Sequence, residues 1–241
     1  MIAHALPSPP LSHPVHSILQ PTATPDLSPE PVFEQEAADW LAGRIAFTIS
    51  NLLTPQECTT LVTTAESIGF QKALLNVGDG VQELDETYRK SGRCIIDSNP
   101  LSEILWERIK QVIPHTVPAY SESGEILLGM AHEAVSVNER LRILKYLPGD
   151  KFLPHFDGCY IRPDCSELSI LTLQVYLQSP DVGGETTMWS DWGEVVRKVK
   201  PVVGQALVFS HDIEHEGSEV LEGVKYVVRT DIMYKRVNVQ S

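Results

Sequence analysis

The chain has 241 residues, 42 % of them hydrophobic, and a formal net charge of −13. That length accommodates one substantial domain with an appendage and a real core. The charge argues against a nucleic-acid partner, which needs clustered Lys and Arg, and mildly favours neutral or basic substrates.

No run of apolar residues is long enough to span a membrane, and the N-terminus lacks the basic and apolar stretches of an export signal. A cytoplasmic protein is therefore expected, with the nucleus as an open alternative and no membrane partner. Cys58, Cys94, Cys159 and Cys165 form no C-x-x-C pair and read as reduced thiols, a Cys159–Cys165 disulfide being the alternative.

Residues 1–31 hold eight of the 17 prolines and neither Lys nor Arg, so this stretch reads as a disordered Pro-rich tail. Residues 32–241 read as a single domain with its core over 138–235. Phe33, Ala37, Trp40 and Leu41 recur at helical spacing, and the segment from Arg44 to Ser50 alternates as a strand does. Thr54-Pro55-Gln56-Glu57 is a capping box with Pro at the first helical position, and Gly69 ends that helix. A second helix starts at Pro100, carries Leu101, Ile104, Leu105, Ile109 and Val112, and stops before Pro114.

From Arg140 the texture changes. Leu141–Leu147, Leu168–Gln178, Val202–Phe209 and Lys225–Tyr234 are rich in branched and aromatic residues, with Gly and Pro between them. The expected fold is mostly β with supporting helices. It is a double-stranded β-helix, or jelly roll, with the N-terminal helices packed on one sheet.

His155 and Asp157 lie two apart in Leu153-Pro154-His155-Phe156-Asp157-Gly158. Alternate side chains of a strand share a face, at a rise of roughly 3.3 Å per residue. His155 and Asp157 are thus expected to reach one ion, with Phe156 turned into the core. A third ligand must come from elsewhere, and His211 and His215 are the candidates between two predicted strands. Two imidazoles and a carboxylate form the facial triad of non-haem iron(II) oxygenases, with positions left open for a cosubstrate and oxygen. A catalytic zinc site uses the same donor types and stays open as an alternative.

Beyond the triad, the chain carries Tyr146-x-x-Gly149, Leu173-x-x-Tyr176-Leu177, Gly183-Gly184-Glu185-Thr186, Pro201-x-x-Gly204, His215-Glu216-Gly217 and Gly223-x-Lys225-Tyr226. In their order and spacing these pieces resemble the catalytic domain of prolyl 4-hydroxylases, within the 2-oxoglutarate and iron(II) dioxygenase superfamily. The resemblance is firm from about residue 138 to 234 and looser upstream through Arg89-Lys90-Ser91-Gly92-Arg93.

The resemblance implies an oxidoreductase with Fe(II), 2-oxoglutarate and O2 as its cofactors, and ascorbate beside them. It implies His155, Asp157 and His215 as metal ligands and catalytic residues. Lys225, ten residues past His215, is implied to pair with the distal carboxylate of 2-oxoglutarate, and that spacing favours His215 over His211. Tyr146 and Tyr176 sit where the family places tyrosines that hydrogen-bond the cosubstrate. Strand alternation adds Arg229, on the face of Lys225, with 2-oxoglutarate, the substrate or Asp231 as its partner. His211 is left as a neighbour of the site or a surface residue, and His115 and His132 as surface residues.

The expected reaction is hydroxylation of a C–H bond. The first candidate substrate is a prolyl or other residue in a peptide or protein. The second is a small metabolite, hydroxylated, desaturated or cyclised. A catalytically silent binding module is the alternative from another class. Two polar segments, Asn76–Arg89 and Gly158–Glu167, are candidate lids. Trp189 and Trp192 either line a substrate pocket or cap the core. The sequence sets no oligomeric state.

Overall fold

The structure, a computed structural model, describes residues 19, 29–32, 43–78, 81–120 and 126–238. In chain order the first elements are β1 (Pro29–Pro31), β2 (Ala46–Ile49), α1 (Pro55–Ile68), β3 (Gln71–Lys72), β4 (Leu75–Gly78), β5 (Val81–Glu83), β6 (Arg89–Lys90), β7 (Gly92–Asp97) and α2 (Asn99–Ile109). There follow β8 (Thr116–Tyr120), β9 (Ile126–Val137), β10 (Arg140–Tyr146), β11 (Lys151–His155), β12 (Leu168–Gln178) and β13 (Val182–Gly183). The last are β14 (Thr186–Trp189), β15 (Val195–Val199), β16 (Ala206–Ser210), β17 (His215–Gly217), β18 (Val220–Glu222) and β19 (Lys225–Asn238).

Ten strands form one sheet in the order β1-β2-β16-β12-β19-β10-β7-β3, with β9 pairing β19 and β8 pairing β9. Five form a second sheet, β15-β14-β17-β11-β6. From β10 onward the chain passes back and forth between the two sheets, as a jelly roll does. β10, β12, β16 and β19 build its large sheet, and β11, β14, β15 and β17 its small one. The expected double-stranded β-helix is the fold.

Period-two alternation divides the central strands between two cores. Leu171, Leu173 and Val175 of β12, Val208 of β16 and Val228 and Ile232 of β19 join the cluster that also holds Leu61, Leu101, Leu105 and Ile109 of the helices. Tyr176, Leu207, Phe209 and Val227, from the opposite faces of the same strands, meet Met188 and Val199 of the small sheet. The helices therefore cover the outer face of the large sheet, and the space between the sheets holds the second core.

Both helices start on the side-chain caps their sequences provide. The Thr54 hydroxyl accepts from Glu57 N at 3.2 Å, while Glu57 Oε2 accepts from Thr54 N at 2.9 Å. Glu57 also ties the two helices together, because its carboxylate takes two hydrogen bonds from the buried Arg108 guanidinium of α2, at 2.6 and 3.0 Å. Ser98 caps α2, which begins at Asn99, one residue before the expected start.

Three expectations are corrected. Order reaches upstream of Val32: Pro29–Pro31 pair with Phe47–Ile49 at the sheet edge, where donorless prolines are tolerated, and Leu19 is 2 % exposed within the main core. The strand expected from Val202 begins at Ala206, after a turn closed by Gln205 N to Val202 O. His132 is buried, because β9 lies between β8 and β19. The helix expected over 33–41 lies outside the described residues.

Candidate metal and cosubstrate site

β11 ends at His155 and β17 starts at His215, and the two residues are cross-strand partners. Their ring centroids are 4.3 Å apart. Asp157 follows the end of β11, anchored by its amide donating to His211 O at 3.1 Å. Its carboxylate lies 3.9 Å from His155 Nε2 and 3.7 Å from His215 Nε2. One donor atom from each of the three residues falls within 4.8 Å of the others.

The imidazoles are held in one tautomer. His155 Nδ1 lies 2.7 Å from Leu153 O and His215 Nδ1 lies 3.0 Å from Ile213 O. A carbonyl only accepts, so Nδ1 carries the hydrogen and Nε2 presents its lone pair to the site. Phe152 stacks on the His155 ring at 3.5 Å, and Phe209 meets His215 edge-on at 4.5 Å. Burial, helped by the neighbouring His215, drives the His155 pKa down to about 2, which keeps that imidazole neutral. Burial pushes the Asp157 carboxyl up, but the Arg229 guanidinium, helped by the Thr172 hydroxyl, outweighs it, and its pKa lies below the usual carboxylate range. Two neutral nitrogens and one carboxylate suit a divalent first-row metal with open positions.

Phe156, expected in the core, is 57 % exposed. The strand stops at His155, so period-two alternation no longer turns Phe156 into the core, and the residue lines a cavity beside the triad. His211 lies outside the donor cluster. It is buried, with Nε2 3.9 Å from Asp231 Oδ1.

Behind the donors, Lys225 opens β19 as a buried cation, its Nζ 5.3 Å from the Tyr146 ring centre and 5.7 Å from that of Tyr176. No carboxylate among the described residues forms an ion pair with it. Burial lowers its pKa to about 8, against a weaker opposing pull from Glu185. Such an orphaned ammonium fits one end of a dicarboxylate. Gly183 and Gly184, both at positive φ, pack this corner: a Cβ on Gly184 would sit 3.1 Å from Val220 Cγ2 and 3.3 Å from Lys225 Cδ.

The inner cavity bordered by Tyr146, Gln174, Thr186, His215, Lys225 and Arg229 has a volume of about 20 Å³. That is roughly a water's worth of space, so 2-oxoglutarate enters only if side chains around it move. Tyr176 is not on this cavity wall; its hydroxyl pairs with Thr186 Oγ1 at 2.8 Å, and Gln174 Nε2 donates to the same oxygen at 2.9 Å.

Sequence reasoning misses Thr172 and Gln174, and it gives Thr186 no role beyond its place in the Gly183–Thr186 motif. Thr172 Oγ1 donates to Asp157 Oδ2 at 2.6 Å and so orients the carboxylate. A signal is present all the same. Thr172, Gln174 and Tyr176 alternate with Leu171, Leu173 and Val175 on one strand, and polar residues at every second position of an apolar run mark its functional face.

On the other side of the triad lies a cavity of about 710 Å³. Arg89, Arg93, Arg142 and Arg229 line it with Asp85, Asp157 and Asp231, so the charge of the whole chain does not describe this space. Both candidate lids border it, the first as the β4–β5 hairpin with Asp85 and Tyr88, the second through Gly158 and Tyr160. Arg229 faces inward as expected, and of its expected partners Asp231 is taken by another arginine. Arg229 Nη2 lies 2.6 Å from Asp157 Oδ1, while Asp231 pairs with Arg142 at 3.3 Å. Neither Trp189 nor Trp192 lines either cavity, and Trp192 is 73 % exposed.

This double sheet, with its paired histidines and one carboxylate at the mouth, defines a non-haem metal oxygenase domain. Residues 141–230 match the model of the 2OG-Fe(II) oxygenase superfamily, whose cofactors are Fe(II), 2-oxoglutarate and O2. A curated relative, probable prolyl 4-hydroxylase 11 of Arabidopsis thaliana, is 29 % identical over 160 residues, covering 65 % of this chain. The chain spans about half that relative's length, 49 %. Among solved structures, a prolyl hydroxylase from Trichoplax adhaerens in complex with a hypoxia inducible factor peptide fragment aligns with a TM-score of 0.55 at 17 % identity, over 80 % of this chain and 86 % of that one. A Pseudomonas putida prolyl-4-hydroxylase aligns with a TM-score of 0.53 at 19 % identity, over 83 % and 96 %.

Proposed function

We propose that the protein is an Fe(II)- and 2-oxoglutarate-dependent dioxygenase that hydroxylates a C–H bond. His155, Asp157 and His215 hold the iron, and Lys225 takes the distal carboxylate of 2-oxoglutarate. The observation that carries this reading is the convergence of two tautomer-locked imidazoles and one ionised carboxylate beside an unmatched buried lysine. When bound, the metal and cosubstrate supply the oxidising power, with release of succinate and CO2. The chain's own residues orient and shield. The Leu153 and Ile213 carbonyls aim the imidazoles, Thr172 and Arg229 fix Asp157, and Phe152 and Phe209 keep water from the rings.

For the substrate we favour a prolyl or other residue in a peptide or protein. The similarity to the Arabidopsis relative and to the two solved prolyl hydroxylases supports it. A small metabolite is the second reading. It is favoured by the outer cavity, whose volume of about 710 Å³ lies in the range of roughly 300–1,000 Å³ typical of small-molecule sites. A silent binding module would have had no need to keep all three donors and Lys225.

Turnover tests this reading. Purified protein with iron(II) is expected to convert 2-oxoglutarate to succinate, slowly even without substrate, and His155→Ala to abolish it. Unchanged turnover in that variant would end the metal assignment, and zinc-supported cleavage of a substrate by water, with no 2-oxoglutarate or oxygen consumed, would point to a hydrolase. A screen of cell extract for products that gain one labelled atom from oxygen-18 gas then separates peptide from metabolite.

A further inference from the structure

The outer cavity holds more cationic groups than its own carboxylates can match. β7, β10 and β19 are neighbours in the large sheet, and each turns one arginine towards this cavity. Arg142 and Arg229 are direct cross-strand partners, and Arg93 lies diagonally from Arg142, two residues from its partner Ile95. Like charges placed opposite one another destabilise a strand pair. Arg229 is matched by Asp157 and Arg142 by Asp231. The third acid on the wall, Asp85, uses one carboxylate oxygen to accept from the amide and the hydroxyl of Thr87. No carboxylate among the described residues pairs with Arg93 or Arg89.

Both leftover groups are poorly satisfied. Arg93 has only a long contact, 3.4 Å, to Gln82 Oε1. Burial, and then the nearby Arg142 and Arg140, lower its pKa. Arg89, 8 % exposed on the small sheet, donates to Leu74 O at 3.3 Å and lies over the Phe152 ring at 4.4 Å, with its buried Nε unpartnered. Packing on Phe152 accounts for the flat placement of this guanidinium but leaves that orphaned donor unexplained. Arg89 is thus a buried cation without a counter-charge, strongly unfavourable until a ligand supplies one, and the half-buried Arg93 presents a second guanidinium to the same cavity.

We propose that the outer cavity recognises its substrate through an oxyanion, a carboxylate or a phosphate, held by Arg89 and Arg93 beside the metal donors. This rests on the oxygenase reading of the site and adds the substrate's charge class to it. Guanidinium forks match the flat, two-oxygen edge that carboxylates and phosphates present. His155 and Asp157 border the same cavity, so the oxidised C–H bond would lie on the same molecule, a few bonds from that acidic group.

The experiment is calorimetric binding to the full chain, loaded with iron(II), saturated with 2-oxoglutarate and kept anaerobic. The probes are 3-phenylpropionate, phenyl phosphate and the neutral 3-phenylpropanamide. At least one anion is expected to bind about tenfold or more tighter than the amide, as hydrogen bonds between charged groups allow. The better anion identifies the natural oxyanion. Arg93→Gln is expected to erase the preference, and Arg93→Lys to keep part of it. The proposal falls if wild-type protein binds the amide as well as both anions, a comparison that needs no variant. It also falls if Arg93→Gln and Arg89→Gln each leave the preference intact. Succinate formation in the same preparation, admitted to air, reports separately on the oxygenase reading.

Discussion

The two cavities beside the His–Asp–His cluster are both cationic, yet they are built differently. The inner one, about 20 Å³, has a single ammonium at its end, Lys225, placed between two tyrosine rings. The outer one, about 710 Å³, is lined by four guanidiniums from four strands. An ammonium is a compact point charge that tolerates one small partner in a tight corner, whereas a guanidinium presents a planar fork that selects by shape as well as charge. The pair suggests a division of labour: the inner side accepts one invariant dicarboxylate, and the outer side discriminates among substrates. Arg229, which borders both cavities and grips Asp157, lies at the boundary.

The widest test of this division is removal of what both sides share. His155→Ala is expected to lower 2-oxoglutarate turnover by more than about 100-fold, since loss even of a metal ligand's hydrogen-bond partner typically costs 10–100-fold. Metal titration of the variant checks it. Lys225→Ala touches the inner side only. Truncating one partner of a buried charge pair costs about 2–5 kcal/mol, so the KM for 2-oxoglutarate should rise by roughly 30-fold or more. Iron affinity should hold. A KM that stays put would move the carboxylate-binding role to Arg229. Thr172→Val keeps shape but removes the hydroxyl that holds Asp157, and iron affinity should fall by about tenfold. If that variant altered 2-oxoglutarate affinity and not iron affinity, the carboxylate would not be oriented from β12.

The two sides are also unequally legible in the sequence. His155, Asp157, His215 and Lys225 stand out because they recur at fixed spacing within a glycine framework, and the structure brings them to one place. The jelly roll is readable from strands that follow helices. The arginines of the outer cavity are not. Arg93, Arg142 and Arg229 lie on three strands distant in sequence, and only the register Arg142↔Arg229 and Arg93↔Leu144 aligns them. Register is a tertiary property, and no local pattern encodes it. Phe156 departs from expectation for a simpler reason. Strand alternation holds only as far as His155, where β11 ends and the chain turns to deliver Asp157.

A further effect concerns the proton on Lys225, and it separates the two sides by pH. In the folded protein without ligand, burial lowers this pKa from 10.5 to about 8. Only the protonated form attracts a carboxylate, so kcat/KM for 2-oxoglutarate should decline as pH rises through about 8, by up to about tenfold for each unit beyond it. Stability runs the other way. Between about pH 8 and 10.5 the unfolded chain binds the proton that the folded chain has shed, so Lys225 makes folding more favourable with rising pH in that window. Below about pH 8 the buried ammonium is a standing penalty, which 2-oxoglutarate removes by supplying its counter-charge. Melting temperatures measured from pH 7 to 10, with and without 2-oxoglutarate, should therefore converge at the alkaline end. Lys225→Met should abolish the cosubstrate's pH-dependent stabilisation while leaving anion binding in the outer cavity in place. If stabilisation by 2-oxoglutarate were the same at pH 7 and pH 10, the inner cation would not be Lys225. Arg229, which borders both cavities, would then be the group that takes the cosubstrate's carboxylate.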